Sequence, residues 1–370
     1  MTKRFIISGG GTGGHIFPAL AIAEALKESC HDAEFLFVGA TGRMEMTKIP
    51  EAGYEIVGLN IAGFQRKNLL KNLTLPFKLI KSLFQAYSIL KKFKPNAAVG
   101  VGGYASGPLL FVAGLLGVPC LIQEQNSYAG VTNRILAGFA KKICVAYEGM
   151  DRFFPKRKIV FTGNPVRKNL QDVNLQRLPA MLNFKLSSEK KTILVIGGSL
   201  GAKTINEAVA LGLEKLIQND IQLIWQTGKT YFEKASELTK PKPLSNGWGD
   251  VKVFDFIKRM DWAYAAADLV ISRAGALSVS ELALIGKPCI LVPSPNVSED
   301  HQTMNALSLA QHHAAVLVKD AEAKEVLIEK AIELIKNEEE MNLMSEKIKH
   351  WSKPNAATEI AEWILKISKK

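Results

Sequence analysis

A short apolar run, a glycine-rich turn and a segment with helical periodicity follow one another twice in this chain. The first copy starts with residues 5–8 and has its turn at residues 9–15. The second starts with residues 192–196 and has its turn at residues 197–202. A strand that enters a helix through such a turn is typical of α/β proteins with parallel sheets. The repetition therefore predicts two domains, each built on its own parallel sheet.

Further short apolar runs favour the same class. They lie at residues 34–38, 97–101, 119–122, 221–225, 251–254, 269–271 and 289–292. These runs are nearly continuous rather than alternating, as expected of strands that are buried on both faces of a parallel sheet. A chain of 370 residues with 47% hydrophobic residues is large enough for two such cores. We predict an α/β fold of two Rossmann-like domains whose parallel sheets face each other across a cleft.

The boundary between the domains is predicted at the Gly-Asn-Pro of residues 163–165, which precedes a polar stretch that ends at residue 191. The N-terminal domain then covers residues 1–163, and the C-terminal domain covers residues 164–345. Residues 346–370 are expected to form a helical segment that packs back on the N-terminal domain. The apolar face of this segment carries Ile360, Trp363, Ile364 and Ile367.

The start of the chain shows no secretion signal, because Lys3 and Arg4 lead directly into the first strand. The four cysteines have no metal or redox spacing and are predicted to be single buried thiols of a reducing compartment. The most apolar stretch, residues 108–122, is shorter than the roughly 20 residues of a spanning helix. These features predict a protein of the cytoplasmic side that does not cross a membrane.

Positive charge is concentrated in one part of the chain. The formal net charge is +12, and residues 56–123 contain no Asp or Glu. The basic residues of that stretch are Arg66, Lys67, Lys71, Lys78, Lys81, Lys91, Lys92 and Lys94. An anionic partner is expected, which could be a nucleic acid, an anionic lipid surface or a phosphorylated substrate. Because no motif of a nucleic-acid-binding fold is present, we predict no nucleic acid partner.

The helix predicted in this basic stretch has two apolar stripes. The first consists of Phe77, Ile80 and Phe84. The second consists of Leu79, Leu83, Ala86 and Leu90. Since a helix needs only one stripe for its own core, the first stripe, with Lys78 and Lys81 beside it, is predicted to rest on an anionic membrane surface. In the alternative interpretation, domain packing buries both stripes.

Both glycine turns can bring backbone N–H groups and the positive end of a helix close to a phosphate. The first turn has the G-x-G-x-x-G spacing of dinucleotide-binding proteins, but residues 38–40 lack the acidic residue that binds the ribose of NAD. NAD is therefore disfavoured, and no cofactor is expected. One such turn could be a tight turn without a ligand, whereas two turns on one cleft favour a bound diphosphate.

A diphosphate at a helix end can be held by N–H dipoles and a nearby arginine. The chain has no Asp-x-Asp pair of the kind that binds Mg²⁺ or Mn²⁺ in metal-using sugar transferases. No metal site is therefore predicted.

Polar residues cluster at three predicted strand ends, at residues 124–126, 272–281 and 299–306. In the second cluster a helix can start at residues 276–278, and Glu281 then lies one turn inside it. Its carboxylate could there accept hydrogen bonds from both hydroxyls of a ribose. Glu281 could equally be a capping-box residue that closes its own helix, because Ser278 precedes it by three positions.

Seven segments, in this order, resemble one family over nearly the whole chain. They are residues 10–15 (GGTGGH), 43–45 (RME), 102–104 (GGY), 124–126 (EQN), 163–167 (GNPVR), 197–199 (GGS) and 272–276 (SRAGA). The family is MurG, the UDP-GlcNAc transferases that complete lipid II in peptidoglycan synthesis. The combination is far more specific than any single motif in it.

The resemblance implies the GT-B glycosyltransferase fold, with the donor UDP-GlcNAc in the C-terminal domain and the acceptor in the N-terminal domain. It implies that the backbone at Ile257 reads the uracil and that Glu281 holds the ribose. Ser199 and Arg167 would hold the diphosphate. The rest of the donor pocket would consist of Ala276, Leu277, Ser278, Val279, Ser280 and Gln302.

On the acceptor side, the resemblance implies that the sugar and the acceptor are faced by Thr12, Gly13, Gly14 and Asn126. His301 departs from the family pattern, because some relatives have a second glutamine at this position. The departure affects the contacts to the GlcNAc hydroxyls and leaves the donor class unchanged.

The implied reaction attaches GlcNAc to the C4 hydroxyl of MurNAc in lipid I (undecaprenyl-pyrophosphoryl-MurNAc-peptide) and releases UDP. We predict an inverting displacement with His15 as the base, because a neutral imidazole can take a hydroxyl proton near pH 7. Arg167 and the turn at Ser199 would support the leaving group. Glu124 is the alternative base, and His15 could instead hydrogen-bond the acceptor or shape the turn.

The resemblance also implies a peripheral enzyme on the cytoplasmic face of the cell inner membrane, which serves cell wall synthesis, cell shape and cell division and meets other cell-wall synthesis proteins. One rival class is another GT-B enzyme acting on UDP-GlcNAc, either a transferase with a soluble acceptor or a 2-epimerase. The other is a non-enzymatic membrane or nucleic-acid-binding protein. The spare apolar stripe disfavours the first class, and the two phosphate-binding turns disfavour the second.

Overall fold

The chain forms two compact units in the computed structural model, which describes residues 2–61, 74–170, 172–198, 201–240, 250–297 and 300–368. The first unit consists of Met1–Arg167 and Lys353–Lys370, and the second consists of Lys168–Ser352. The chain thus leaves the first unit after Arg167, where the sequence suggests residue 163. It re-enters that unit at Lys353, where the sequence suggests residue 346.

The first unit is built on a seven-stranded parallel sheet with the strand order β3-β2-β1-β4-β5-β6-β7. Its strands are β1 (Arg4–Gly9), β2 (Glu34–Ala40), β3 (Ile56–Leu59), β4 (Ala97–Gly102), β5 (Cys120–Glu124), β6 (Ala140–Val145) and β7 (Ile159–Phe161). Its helices are α1 (Gly13–Ser29), α2 (Glu45–Glu51), α3 (Leu75–Phe93), α4 (Ser106–Leu115), α5 (Val131–Leu136) and α14 (Ala356–Ile367). The order 3-2-1-4-5 at its centre is that of a Rossmann-like fold, as predicted.

Alternate residues of the central strand β1 serve two separate cores, one on each face of the sheet. Ile6 packs into the core shared with α3 and α4, while Phe5 and Ile7 pack into the core shared with α1 and α14. All three side chains are fully buried. This burial on both faces explains why the strands are nearly continuous apolar runs.

The second unit is built on a six-stranded parallel sheet with the order β10-β9-β8-β11-β12-β13. Its strands are β8 (Thr192–Ile196), β9 (Gln222–Gln226), β10 (Val251–Phe254), β11 (Leu269–Ser272), β12 (Cys289–Leu291) and β13 (Val316–Leu317). Its helices are α6 (Arg177–Phe184), α7 (Lys203–Gln218), α8 (Lys229–Leu238), α9 (Met260–Ala266), α10 (Ala276–Ile285), α11 (His301–Ala310), α12 (Ala323–Lys336) and α13 (Glu338–Lys349). The prediction of a second Rossmann-like domain is confirmed.

No helix within the described ranges is long and apolar enough to span a membrane. All four cysteines are free thiols. Burial raises the pKa of Cys120, Cys144 and Cys289 to about 12, so these three thiols are unreactive near neutral pH. The prediction of a buried thiol is wrong for Cys30, which follows the last residue of α1 and is partly exposed.

Candidate active site

The first glycine turn joins β1 to α1 and is held by a buried carboxylate. Glu45, the first residue of α2, is 1% exposed. Its Oε2 accepts a hydrogen bond from the Gly11 N–H (2.8 Å), and its Oε1 accepts one from the Ala40 N–H (3.0 Å). A Cβ on Gly10 would overlap this carboxylate, so only glycine fits there. An amide of the kind that binds phosphate in dinucleotide-binding turns is therefore occupied by a carboxylate of the chain itself.

His15 is the third residue of α1 and is half-buried. Its Nδ1 lies 3.0 Å from the carbonyl oxygen of Gly10 and 3.4 Å from Oγ1 of Thr12. A carbonyl oxygen can only accept, so this hydrogen bond requires a proton on Nδ1, and in the neutral ring the lone pair is then on Nε2. This is the tautomer in which Nε2 can take a proton from a hydroxyl group.

Two glycines at the end of β4 allow this arrangement. Gly102 has a φ of +103°, and a Cβ on it would lie 2.7 Å from Nε2 of His15. Gly103 has a φ of +90°, and a Cβ on it would lie 2.5 Å from the carbonyl oxygen of Gly10. The backbone of these residues therefore lies so close to the first turn that a larger residue than glycine would clash with it.

Glu124, the last residue of β5, organises the segment that follows it. Its Oε1 accepts a hydrogen bond from the Asn126 N–H (3.1 Å), and its Oε2 accepts from the Gly130 N–H (3.0 Å) and from Nδ2 of Asn133 (2.8 Å). Burial raises the pKa of this carboxyl group, and the hydrogen bonds act in the opposite direction. Because its oxygens hold the loop that carries Asn126, Glu124 is better suited to positioning than to general base catalysis.

The first turn, the two glycines and the Glu124 loop lie at the carboxyl ends of β1, β4 and β5, which are neighbours in the sheet. This edge is where open α/β sheets bind their ligands. The predicted residues Thr12, Gly13 and Gly14 lie there too, at the N-terminal end of α1. The structure therefore brings the predicted acceptor residues of the first unit to one edge.

Arg167 belongs to the first unit, although the predicted limits assign it to the C-terminal domain. Its guanidinium carbon lies 4.2 Å from the centroid of the Phe17 ring on α1, a cation–π contact that fixes the charge near the start of this helix. Ser199, its predicted partner in holding the diphosphate, lies outside the described residues.

The second glycine turn joins β8 to α7. Gly198 and Gly201 have φ values of +79° and +77°. A Cβ on Gly201 would overlap the carbonyl oxygen of Thr227, so the turn packs closely against the end of β9. The N-terminal end of α7 follows directly at Lys203 and can stabilise an anion through its N–H dipoles.

Glu281 lies inside α10 and is 4% exposed. Its Oε2 accepts a hydrogen bond from the hydroxyl group of Tyr264 (3.0 Å), which is itself 1% exposed on α9. The capping-box interpretation is wrong, because α10 begins at Ala276 after the N-cap Gly275, and Ser278 is thus the third helical residue. Tyr264 instead holds the carboxylate in place.

The backbone N–H of Ile257, which is predicted to read uracil, donates to Oε1 of Gln226 (2.9 Å). The side-chain amide of Gln226 in turn donates to the carbonyl oxygen of Gly198 in the second turn (3.3 Å). A uracil that uses this N–H must therefore displace Gln226. The same glutamine connects the predicted uracil site with the predicted diphosphate site.

The remaining donor residues surround the N-terminal end of α10. Ala276, Leu277 and Val279 are buried. Asn305 on α11 donates to the carbonyl oxygen of Ala274 (3.2 Å) and ties α11 to the loop that precedes α10. Further polar groups at the starts of these helices come from Ser278, Ser280, His301 and Gln302.

Three residues that matter in this geometry are missing from the sequence-based site: Glu45, Gln226 and Tyr264. For Glu45 the signal was present, because it belongs to the RME segment of the family resemblance. Gln226 directly follows a predicted strand, and Tyr264 lies in a segment without any sequence-based prediction. Within the described ranges, no group of three or more His, Cys, Asp or Glu side chains is arranged to hold a metal ion.

The apolar stripe on α3 is exposed. Phe77, Ile80 and Phe84 are 77%, 53% and 73% exposed, while Ala86 and Leu90 on the opposite side are buried. The alternative in which both stripes are buried is therefore wrong. Leu79, at the start of the second stripe, is half-exposed.

Lys78 and Lys81 flank the exposed stripe in the sequence. Two further exposed apolar side chains of this unit are Leu115 on α4, which packs beside α3, and Ile135 on α5, which packs beside α4. Arg66, Lys67 and Lys71 of the basic stretch lie outside the described residues.

Two Rossmann-like units, each with a glycine turn that opens a helix, are the architecture of the GT-B fold. The chain matches the glycosyltransferase family 28 N-terminal domain over residues 5–145 and the glycosyltransferase family 28 C-terminal domain over residues 192–362. The protein therefore belongs to glycosyltransferase family 28, and its prediction as a glycosyltransferase is confirmed.

Relatives of known name are similar over nearly the full length. The UDP-N-acetylglucosamine--N-acetylmuramyl-(pentapeptide) pyrophosphoryl-undecaprenol N-acetylglucosamine transferase of Bacteroides fragilis is 56% identical, over 99% of this chain and 96% of that protein. The protein of the same name from Cytophaga hutchinsonii is 54% identical, over 98% of this chain and 96% of its own length. The predicted family resemblance is thereby confirmed.

Solved structures agree on the fold. The crystal structure of Acinetobacter baumannii MurG superposes with a TM-score of 0.75 at 30% identity, over 99% of this chain and 100% of that one. A UDP-GlcNAc 2-epimerase from Neisseria meningitidis bound to UDP-GlcNAc superposes with a TM-score of 0.67 at 16% identity, over 99% of this chain and 100% of that one. The second similarity shows the shared fold alone.

Proposed function

We propose that this glycosyltransferase moves GlcNAc from UDP-GlcNAc to the C4 hydroxyl of MurNAc in lipid I, which gives lipid II for peptidoglycan synthesis. The observation that carries the proposal is the 56% identity, over nearly the whole chain, to a transferase whose name states this donor and this acceptor. The His15–Gly10 contact and the buried Glu281–Tyr264 pair support it, because they suit His15 to act as a base and Glu281 to accept hydrogen bonds from ribose hydroxyls.

In the proposed reaction the C4 oxygen of MurNAc attacks C1 of GlcNAc while the bond from C1 to the diphosphate oxygen breaks. The hydroxyl proton passes to Nε2 of His15, and the electron pair of the broken bond leaves with UDP. One displacement inverts the configuration at C1. Arg167 and the N-terminal end of α7 supply positive charge for the departing diphosphate.

For donor binding, we propose that the Glu281 carboxylate accepts hydrogen bonds from the ribose hydroxyls while Tyr264 fixes its orientation. The backbone at Ile257 reads the uracil once Gln226 has moved aside. Ser199, the N-terminal residues 276–280 of α10 and Gln302 complete the donor site, and Thr12, Gly13, Gly14 and Asn126 contact the sugar and the acceptor.

The function is tested by incubating the purified protein with UDP-GlcNAc that is radiolabelled in the sugar and with a lipid I analogue. We expect the label to move into the lipid product with release of UDP, equally well with and without excess chelator. Label that appears in a nucleotide-linked or free epimer of the sugar would identify a 2-epimerase instead. Transfer to a soluble acceptor only would contradict the proposed acceptor class.

We further propose that the protein binds the cytoplasmic face of the cell membrane peripherally through the exposed stripe of α3. Exposed aromatic and aliphatic side chains beside lysines are suited to an interface with anionic lipid. The same surface would bring the enzyme to an acceptor that is itself anchored in the membrane by its lipid.

The triple variant Phe77→Ser, Ile80→Ser and Phe84→Ser is expected to lower binding to phosphatidylglycerol vesicles by roughly tenfold or more, because it removes the apolar area that enters the lipid. Cosedimentation measures this binding, and wild-type binding should weaken as salt rises.

The matched control replaces the exposed leucines Leu175, Leu178 and Leu182 of the second unit, which are 83%, 66% and 78% exposed, with serine. This variant should sediment with vesicles like the wild type. Equal losses in both variants would show that binding follows general surface hydrophobicity, and an unfolded α3 variant would show that the stripe belongs to the core.

A further inference from the structure

The peptide bond between Gly10 and Gly11 is held at both of its polar ends. Its N–H, which belongs to Gly11, donates to the buried Glu45 carboxylate at 2.8 Å. Its C=O, which belongs to Gly10, lies 3.0 Å from Nδ1 of His15. Because the atoms of a peptide bond lie in one plane, the carboxylate that fixes the N–H also fixes the direction of the C=O.

This peptide needs such a restraint. Glycine is on both sides of it, and glycine residues reach positive and negative φ values with similar ease, so the peptide plane can rotate at little cost. Gly11 has a φ of +88°, in the left-handed region. If the plane rotated, the carbonyl would turn away from His15, and Nδ1 would lose the acceptor that determines its tautomer.

Glu45 is placed to provide the restraint. Its side chain is 1% exposed, and its second oxygen is tied to the Ala40 N–H at the end of β2. The carboxylate is thus anchored to the sheet and cannot follow a rotation of the turn. A hydrogen bond from an amide to a carboxylate is charge-assisted, and it polarises the peptide so that its carbonyl becomes a stronger acceptor.

We propose that Glu45 is a positioning residue of the transferase: it acts through the Gly10–Gly11 peptide to hold His15 with Nδ1 protonated and Nε2 ready to take the acceptor proton. The inference rests on the proposed role of His15 as the base. It assigns to the carboxylate the task of orienting an imidazole, with one peptide unit between the two groups.

The test variant is Glu45→Gln, which keeps the size of the side chain and removes its charge. We expect kcat for GlcNAc transfer to fall roughly 10–100-fold, as for groups that orient a functional residue without contacting the substrate themselves. The KM for UDP-GlcNAc should stay within about twofold of the wild-type value, because the residues proposed to hold the uracil and the ribose lie in the other unit. Glu45→Asp, which keeps the charge on a shorter side chain, should recover part of the activity.

A double-mutant cycle with His15→Ala distinguishes positioning from general stabilisation. In the His15→Ala background, Glu45→Gln should lower kcat little further. If it lowers kcat by the same factor in both backgrounds, or leaves the wild-type kcat unchanged, the inference is overturned.

A measurement that does not depend on catalysis, the tautomer of His15, tests this inference separately from the proposed function. In ¹⁵N NMR of the intact protein, the His15 ring should show the Nδ1–H tautomer, and Glu45→Gln should produce a mixture of tautomers. Unchanged tautomers in Glu45→Gln would refute the positioning role. If Glu45→Gln shows the expected tautomer change but the wild-type protein transfers no GlcNAc, the proposed function is refuted and the positioning role of Glu45 stands.

Discussion

Replacement of His15 by alanine is expected to lower kcat for GlcNAc transfer by about 10²–10⁴-fold, the range for loss of a general base. The KM for UDP-GlcNAc should change little, because the predicted uracil and ribose contacts, Ile257 and Glu281, lie in the second unit. The physical reason is the tautomer: with Nδ1 bonded to the Gly10 carbonyl, Nε2 is the nitrogen that can accept the proton. Single-turnover kinetics with a lipid I analogue measure the effect on the chemical step.

The matched control for this variant is His31→Ala, which removes an exposed histidine of the same unit. It should leave kcat unchanged. A loss of less than tenfold in His15→Ala would reduce His15 to a hydrogen-bonding or turn-shaping residue. Activity of the Glu124→Gln variant would then show whether the carboxylate at the end of β5 takes the proton.

Replacement of Glu281 by alanine is expected to weaken UDP-GlcNAc binding by about 1.5–3 kcal/mol, because the buried ribose hydroxyls lose a charged acceptor. Isothermal titration calorimetry with UDP-GlcNAc measures this directly. Tyr264→Phe removes the hydroxyl group that orients the carboxylate and keeps the carboxylate itself, so its loss of affinity should be smaller.

Thermal unfolding of the same variants provides the control for Glu281. Near-wild-type melting with weakened binding supports the ribose role. The opposite result, in which Glu281→Ala melts early and binds UDP normally, would make the Glu281–Tyr264 pair a purely structural contact between α9 and α10.

The sequence predicts the central strands of both sheets because these are buried on both faces and begin or end at glycine turns. It does not predict β3, β6, β7 or β13. The edge strands β7 and β13 have three and two residues, too few for a pattern to be distinguished from loop sequence. In β6 the run is broken by Lys141 and Lys142. Lys142 pairs with Leu121 of β5, and residues 143–145 pair with both β5 and β7. Sheet neighbours, rather than local preference, decide such segments.

The site residues also divide into those that local sequence predicts and those that depend on contacts between distant segments. His15 and Glu281 are predictable because each lies at a recognisable turn or helix start. The contacts of Glu45 and Gln226 are not predictable, although Glu45 lies in a family motif, because their partners are distant in the chain: Gly11 is 34 residues from Glu45, and Ile257 is 31 residues from Gln226. Those contacts depend on which strands become neighbours, and local patterns do not contain the strand order.

The return of the chain to the first unit constrains the order in which the protein can be completed during synthesis. α14 adds Ile360, Ala361 and Ile364 to the core that contains Phe5 and Ile7, and it packs against α1. The second unit is continuous, so it can fold as it leaves the ribosome, whereas the first unit waits for α14. A chain that stalls before α14 would expose the apolar side of α1 to chaperones and proteases. The unit that carries His15 therefore matures last, although its first strand is made first.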